Sequence, residues 1–138
     1  MMDTLCIALV AAMWGGWPLV ARASGYGGPL GSLLLTIAGL VPIVLATVAH
    51  GATTLPSTAT CVRLAIAGAM MGTGLVAFNI VVNGRLDASV SIPIVDAAAL
   101  IVSTAGAVYF FGETFSLQKL VGIVLLVAGI VVLRPSQG

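Results

Sequence analysis

Long apolar runs, broken by short polar punctuation, dominate the chain. The first run covers about residues 4–21, between Asp3 and Arg22. "ASGYGGPLG" follows, dense in glycine and proline, and reads as a turn. The second run covers about 30–49 and ends at His50, before the loop "HGATTLPSTAT". The third covers about 61–82, with Arg63 at its lip, and closes in "NGRLD". The fourth covers about 88–111 and is followed by the polar hinge "GETFSLQK", in which Ser116 is placed to cap the next helix. The fifth covers about 117–133 and stops at Arg134-Pro135.

Each run is near the roughly 20 apolar residues that a membrane-crossing helix needs. A closed barrel would show alternating apolar and polar positions instead, and these runs are continuous. The pattern therefore predicts an all-α membrane protein, a bundle of five transmembrane helices in a single domain over 1–138. A rival count of four would leave the second or third run outside the bilayer, although both have uncharged interiors. Ala21-Arg22-Ala23 has the form of a signal-peptide cleavage site. The chain nevertheless opens Met1-Met2-Asp3-Thr4, without the basic residues such a peptide wants, so the first run is read as a retained helix.

Composition sharpens this picture. Of 138 residues, 60% are hydrophobic and 7% charged, against roughly 25% charged in soluble domains. The net charge of +1 provides no basic patch for a nucleic-acid partner. Cys6 and Cys61 lie in separate apolar runs with neither metal nor disulfide spacing, and are expected to be small buried side chains. No metal site, phosphate-cradling loop or Ser/His/Asp set is visible, so neither a cofactor nor an enzyme is expected. Five spans would put Arg63 and Lys119 on one side and Arg22, Arg85 and Arg134 on the other. The positive-inside rule needs an excess on one side. This near balance only weakly favours an inside C-terminus and leaves dual insertion open.

Small residues mark where helices can approach in lipid. Gly68 and Gly72 are four apart in the third run, a spacing that suits packing within the chain. Gly122 and Gly129 are seven apart on a fifth helix whose remaining surface is mostly Val, Ile and Leu. That helix is the better candidate for a dimer contact.

"AAMWGGWPLVARAS" resembles the Trp-Gly opening of EamA-type transporters of the drug/metabolite transporter superfamily. "SIPIVDAAALIVSTAGAVYFFGETFSLQKLVGIVLLVAGIVVL" resembles the end of the same unit, and the ending is similar to that of small multidrug resistance proteins. The residues carrying it are Pro93, Gly112, Glu113, Gln118, Gly122 and Gly129. It covers the first run and the last two well and the middle poorly. The resemblance implies half of a ten-helix inverted-repeat transporter, a plan in which the site lies between the repeats. One such unit would work as a homodimer, antiparallel if copies insert both ways. C-terminal tags found on one side only would exclude the antiparallel form.

Asp96 is the leading candidate for chemistry. Eight residues into the fourth run, it lies about 12 Å into a hydrocarbon core about 30 Å thick. An aspartate there costs roughly 2.5–3.5 kcal/mol on insertion scales. Such groups face a bundle interior or a watery cavity, and a carboxylate so placed could exchange a proton for a cation. Asp96 is therefore expected to face a polar cavity. The structural alternative is that it bonds Asn79, a nearby hydroxyl, or backbone freed by Pro93. The working glutamate of small multidrug resistance proteins lies in their first helix, and this chain has none there.

Trp14 and Trp17 could form an aromatic wall for an organic cation, or simply pack beside Gly15 and Gly16. Asn79 and Tyr109 could line the same cavity. Pro93, Gly112 and Glu113 read as a hinge or gate, with Glu113 capping the next helix or pairing with Lys119 or Arg63. The expected function is proton-coupled transport of small metabolites or organic cations across the plasma (inner) membrane, by a multi-pass protein partnered by the lipid bilayer. Two alternatives stand beside it. One is a flippase subunit for a lipid-linked sugar or phospholipid, leaning on Arg22 and Arg63. The other is a membrane scaffold without transport.

Overall fold

Helices account for all the regular structure among the described residues of the computed structural model, which are 2–51 and 54–132. Five form: α1 (Met2–Ala23), α2 (Gly28–Ala49), α3 (Thr58–Val82), α4 (Ala88–Phe111) and α5 (Leu117–Val132). The first four are long and apolar enough to cross a membrane. The five expected spans are thus matched at full length by four helices. α5 has 16 residues, about 24 Å at 1.5 Å per residue. Leu133, the expected end of the fifth run, lies outside the described residues, as does Arg134.

Helix boundaries follow local chemistry. α1 carries Asp3 in its first turn and Arg22 in its last, each charge matched to the helix dipole. α2 absorbs Gly28-Pro29, which the residue pattern assigns to the turn; proline near the first helical position brings a preset φ and lacks only an N–H that would be unpaired anyway. α3 starts three residues before the apolar run because the Ser57 hydroxyl accepts from the Thr60 N–H at 3.4 Å. α4 keeps its expected bounds and ends at Gly112, whose φ of +65° is left-handed, a conformation glycine adopts without a Cβ penalty. At α5 the Ser116 hydroxyl accepts from the Lys119 N–H at 3.2 Å, so it caps that helix as its position predicts.

The chain divides into two compact units, 1–84 and 85–138. In the first, α2 and α3 are the closely packed pair. α1 joins them through Trp17, whose ring lies 5.1 Å from that of Phe78, within the range of favourable aromatic pairs. In the second unit α4 and α5 pack together.

Most side chains point outward. Among the described residues the buried apolar side chains are few, Pro18, Ala21, Val82 and Val90, and long apolar side chains lie exposed along every helix. Cys6 and Cys61, expected to be buried, are both exposed. The helices touch along narrow strips, so an apolar position here need not be an interior one. Gly68 and Gly72 follow the same rule. A Cβ built at either would meet nothing within 4 Å, so among the described residues no helix packs closely on them.

Candidate functional site

The first unit closes at one end in a polar joint. α1 ends, α2 begins and α3 ends there, and the chain order forces the three termini together. The Asn79 amide donates to the Ser32 hydroxyl at 2.9 Å, and both side chains are buried. Ser32 in turn donates to the Gly28 carbonyl at 3.0 Å. The Asn83 amide donates to the Asn79 carbonyl at 2.9 Å. From α1, Arg22 Nη1 donates to the Val82 carbonyl at 2.8 Å. Close approach requires glycine at two positions. A Cβ at Gly27 would lie 2.9 Å from Asn83 Cβ, and one at Gly31 would lie 2.8 Å from the Tyr26 carbonyl oxygen.

Asn79 was a candidate cavity residue and a candidate partner for Asp96. Its amide is instead spent on Ser32, in the joint. A buried polar side chain is stable when its hydrogen bonds are made, and here they are made between helices. Asn79→Ala is expected to lower stability by about 1 kcal/mol. Thermal unfolding in detergent checks this; an unchanged melting temperature would show that the bond contributes nothing.

Trp17 and Trp14 separate. Trp17 is half-buried on Phe78 and lines a groove of about 670 Å³ between α1 and α2, with Gly16, Ala21, Tyr26, Gly31 and Leu34 among the lining residues. Trp14 is 65% exposed and does not line it. No aromatic wall of two tryptophans forms on that groove.

In the second unit Asp96 lies in a groove of about 900 Å³ between α4 and α5. Pro93, Ala97 and Leu100 of α4 line it with Gly122, Leu125, Leu126, Gly129 and Ile130 of α5. The expected polar cavity is thus, around Asp96, an apolar groove with one acid in it. Asp96 is exposed along this groove rather than buried. Among the described residues it has neither a hydrogen bond nor an ion pair. The expected alternative partners, Asn79 and nearby hydroxyls, do not take it up. Gly122 and Gly129, read as contact residues, form part of the groove, and a Cβ at either would meet nothing within 4 Å. Tyr109 is 83% exposed and packs edge-on against Phe110 at 5.0 Å. It lies 13 residues beyond Asp96, about 20 Å along the helix, and lines no part of the groove.

The hinge residues behave as local geometry demands. Gly112 makes the left-handed turn, and the Glu113 N–H reaches back to the Ala107 carbonyl at 3.5 Å. Lys119 Nζ donates to Glu113 Oε2 at 3.2 Å. Both side chains are about half exposed, so the pair contributes little to stability. His50 ends α2, with Nδ1 2.9 Å from the Ala46 carbonyl. Among the described residues no group of His, Cys, Asp and Glu side chains could hold a metal ion.

No family model, curated protein or solved structure matches the chain. Among the described residues the regular structure is all helical, with four helices long and apolar enough to cross a membrane.

Proposed function

We propose that this is a multi-pass membrane protein of the plasma (inner) membrane, a secondary transporter that exchanges protons for small metabolites or organic cations through Asp96. The observation that carries the reading is the unpaired carboxylate in an otherwise apolar groove of about 900 Å³. Among the described residues no hydrogen bond or ion pair engages Asp96. In a bilayer a charge of this kind is expensive and is kept where it works. The groove's apolar walls suit an amphipathic cation, and the acid supplies both the charge that binds it and the proton that displaces it.

A dimer completes the scheme. Two copies, antiparallel if the chain inserts both ways, would enclose what one copy leaves open, and alternating access would follow from rocking one against the other. The resemblance to half of an inverted-repeat transporter supports the same plan. A flippase reading would lean on Arg22, which donates to Val82 in the helix joint, and it draws less support.

The test is direct. Liposomes holding the purified chain and a trapped pH dye are given tetraphenylphosphonium as a probe cation, and uptake is read as the excess over protein-free liposomes, since this lipophilic ion also crosses bare bilayer. Its uptake is expected to release protons from the liposome interior in step. Cation movement without a dye response would remove proton coupling, and no movement for a panel of cations would remove the transporter reading.

A further inference from the structure

The groove at Asp96 continues. A second cavity of about 520 Å³ lies between the same two helices, and Ser103, Thr104, Glu113 and Lys119 line it. Leu100, Gly122 and Leu126 line both cavities. They are therefore successive stretches of one furrow, from Asp96 to the Glu113–Lys119 pair. On α4 the furrow residues Asp96, Leu100, Ser103, Thr104 and Ala107 are four, three, one and three positions apart, which is one face of a helix. The rise of 1.5 Å per residue puts the two hydroxyls about 10–12 Å from Asp96 and Ala107 about 16 Å from it. Gly122, without a side chain, leaves the α5 wall open midway.

We propose that this furrow is a watered proton path joining Asp96 to the aqueous phase at the Glu113–Lys119 end, with Ser103 and Thr104 as its intermediate polar stations. The proposal rests on the reading of Asp96 as the proton site. A water occupies about 30 Å³ of liquid and needs two to four polar partners. The second cavity has room for several; Ser103 Oγ, which donates to the Leu100 carbonyl at 3.0 Å, accepts from water there, and the Thr104 hydroxyl and the two charged groups supply the other partners. The balance of the step is simple. A proton leaves hydronium at the mouth, passes along water and hydroxyls, and ends on a carboxylate oxygen of Asp96, which becomes the neutral acid. Release reverses it. The ion pair has a role here that its small stability contribution does not explain. Glu113 neutralises Lys119 at 3.2 Å, so the mouth does not repel an incoming proton. Glu113→Gln would leave the lysine charge alone at the mouth, and proton uptake by Asp96 would slow most at low ionic strength, where charges are least screened.

The test separates path from site. Cys6 and Cys61, both exposed, are replaced by alanine, and single cysteines are placed at Ser103, Thr104 and Ala107 in the full chain in liposomes. Val102, 73% exposed but outside the furrow, is the control. A charged, membrane-impermeant methanethiosulfonate is expected to label the furrow positions about tenfold faster than Val102→Cys, because a thiol reacts as the thiolate, which needs water. The double variant S103A/T104V is expected to slow proton release during tetraphenylphosphonium uptake severalfold without lowering the melting temperature. Furrow cysteines labelled no faster than the control overturn the path, whatever Asp96 does. Fast labelling with proton release unchanged in Asp96→Asn overturns it too, by removing the site it serves, and the Asp96 reading falls with it.

Discussion

Asp96→Asn is expected to abolish proton-coupled uptake while leaving the protein at least as stable as before. The two halves of that result have one cause. Asparagine keeps the shape of the side chain, yet it can neither hold a titrating proton nor carry the charge that attracts a cation. Among the described residues Asp96 has no bonded partner, so its replacement orphans no buried group, the usual source of a large destabilisation. The substitution also removes a charge whose placement in a bilayer costs roughly 2.5–3.5 kcal/mol on insertion scales. A residue that stabilises the fold would show the opposite pairing, with lost stability and lost activity together. Function held at the expense of stability is common at working sites. Tetraphenylphosphonium uptake and thermal unfolding, measured on the same preparation, decide it. Uptake at the unsubstituted level would take Asp96 out of the mechanism.

Gly31→Ala is expected to be the most disruptive single methyl group in the first unit. The added Cβ would stand 2.8 Å from the Tyr26 carbonyl oxygen. That oxygen belongs to the backbone of the turn between α1 and α2, so it cannot swing aside as a flexible side chain would. The turn must shift, and Ser32, the next residue, is the one that meets Asn79. Overpacking of this kind costs typically about 1–3 kcal/mol. The measurement is the melting temperature in detergent, with Gly39→Ala as the control. Gly39 has open space around its would-be Cβ, and alanine there should favour the helix by a few tenths to about 1 kcal/mol. Equal melting temperatures for the two variants would show that the turn gives way freely.

The helices were legible because apolar runs and turn chemistry are local. α4 starts and ends where "NGRLD" and the Gly-Glu pair say it should. The early start of α3 is not marked by the apolar run, because Ser57 caps a helix that starts three residues earlier, among polar residues. Asn79 stands out as an isolated polar residue in an apolar run, but its partner, Ser32, lies 47 residues away. Nothing local pairs them. The signal available was that each sits near the end of a helix facing the same turn. Asp96 stood out for the same reason as Asn79, and the structure separates the two by what they bond. The furrow was legible only in part. Its α4 face can be written from helical spacing, whereas its opening depends on how α5 lies against α4. The outward-facing cysteines mark the same limit, since an apolar run does not say which of its faces meets a neighbour.

The joint at the end of α3 has a consequence for the protein's lifetime. Asn83 is followed by Gly84, and an asparagine before glycine is prone to spontaneous hydrolysis of its amide, because glycine leaves the following backbone nitrogen free to attack. In the intact chain that amide is a donor, set on the Asn79 carbonyl at 2.9 Å. Conversion to aspartate would put a negative acceptor against that acceptor oxygen, at the C-terminal cap of α3. The chemical ageing of a single side chain would thus turn the bond that closes α3 into a repulsion, one helical turn from the Asn79–Ser32 bond that joins α3 to α2.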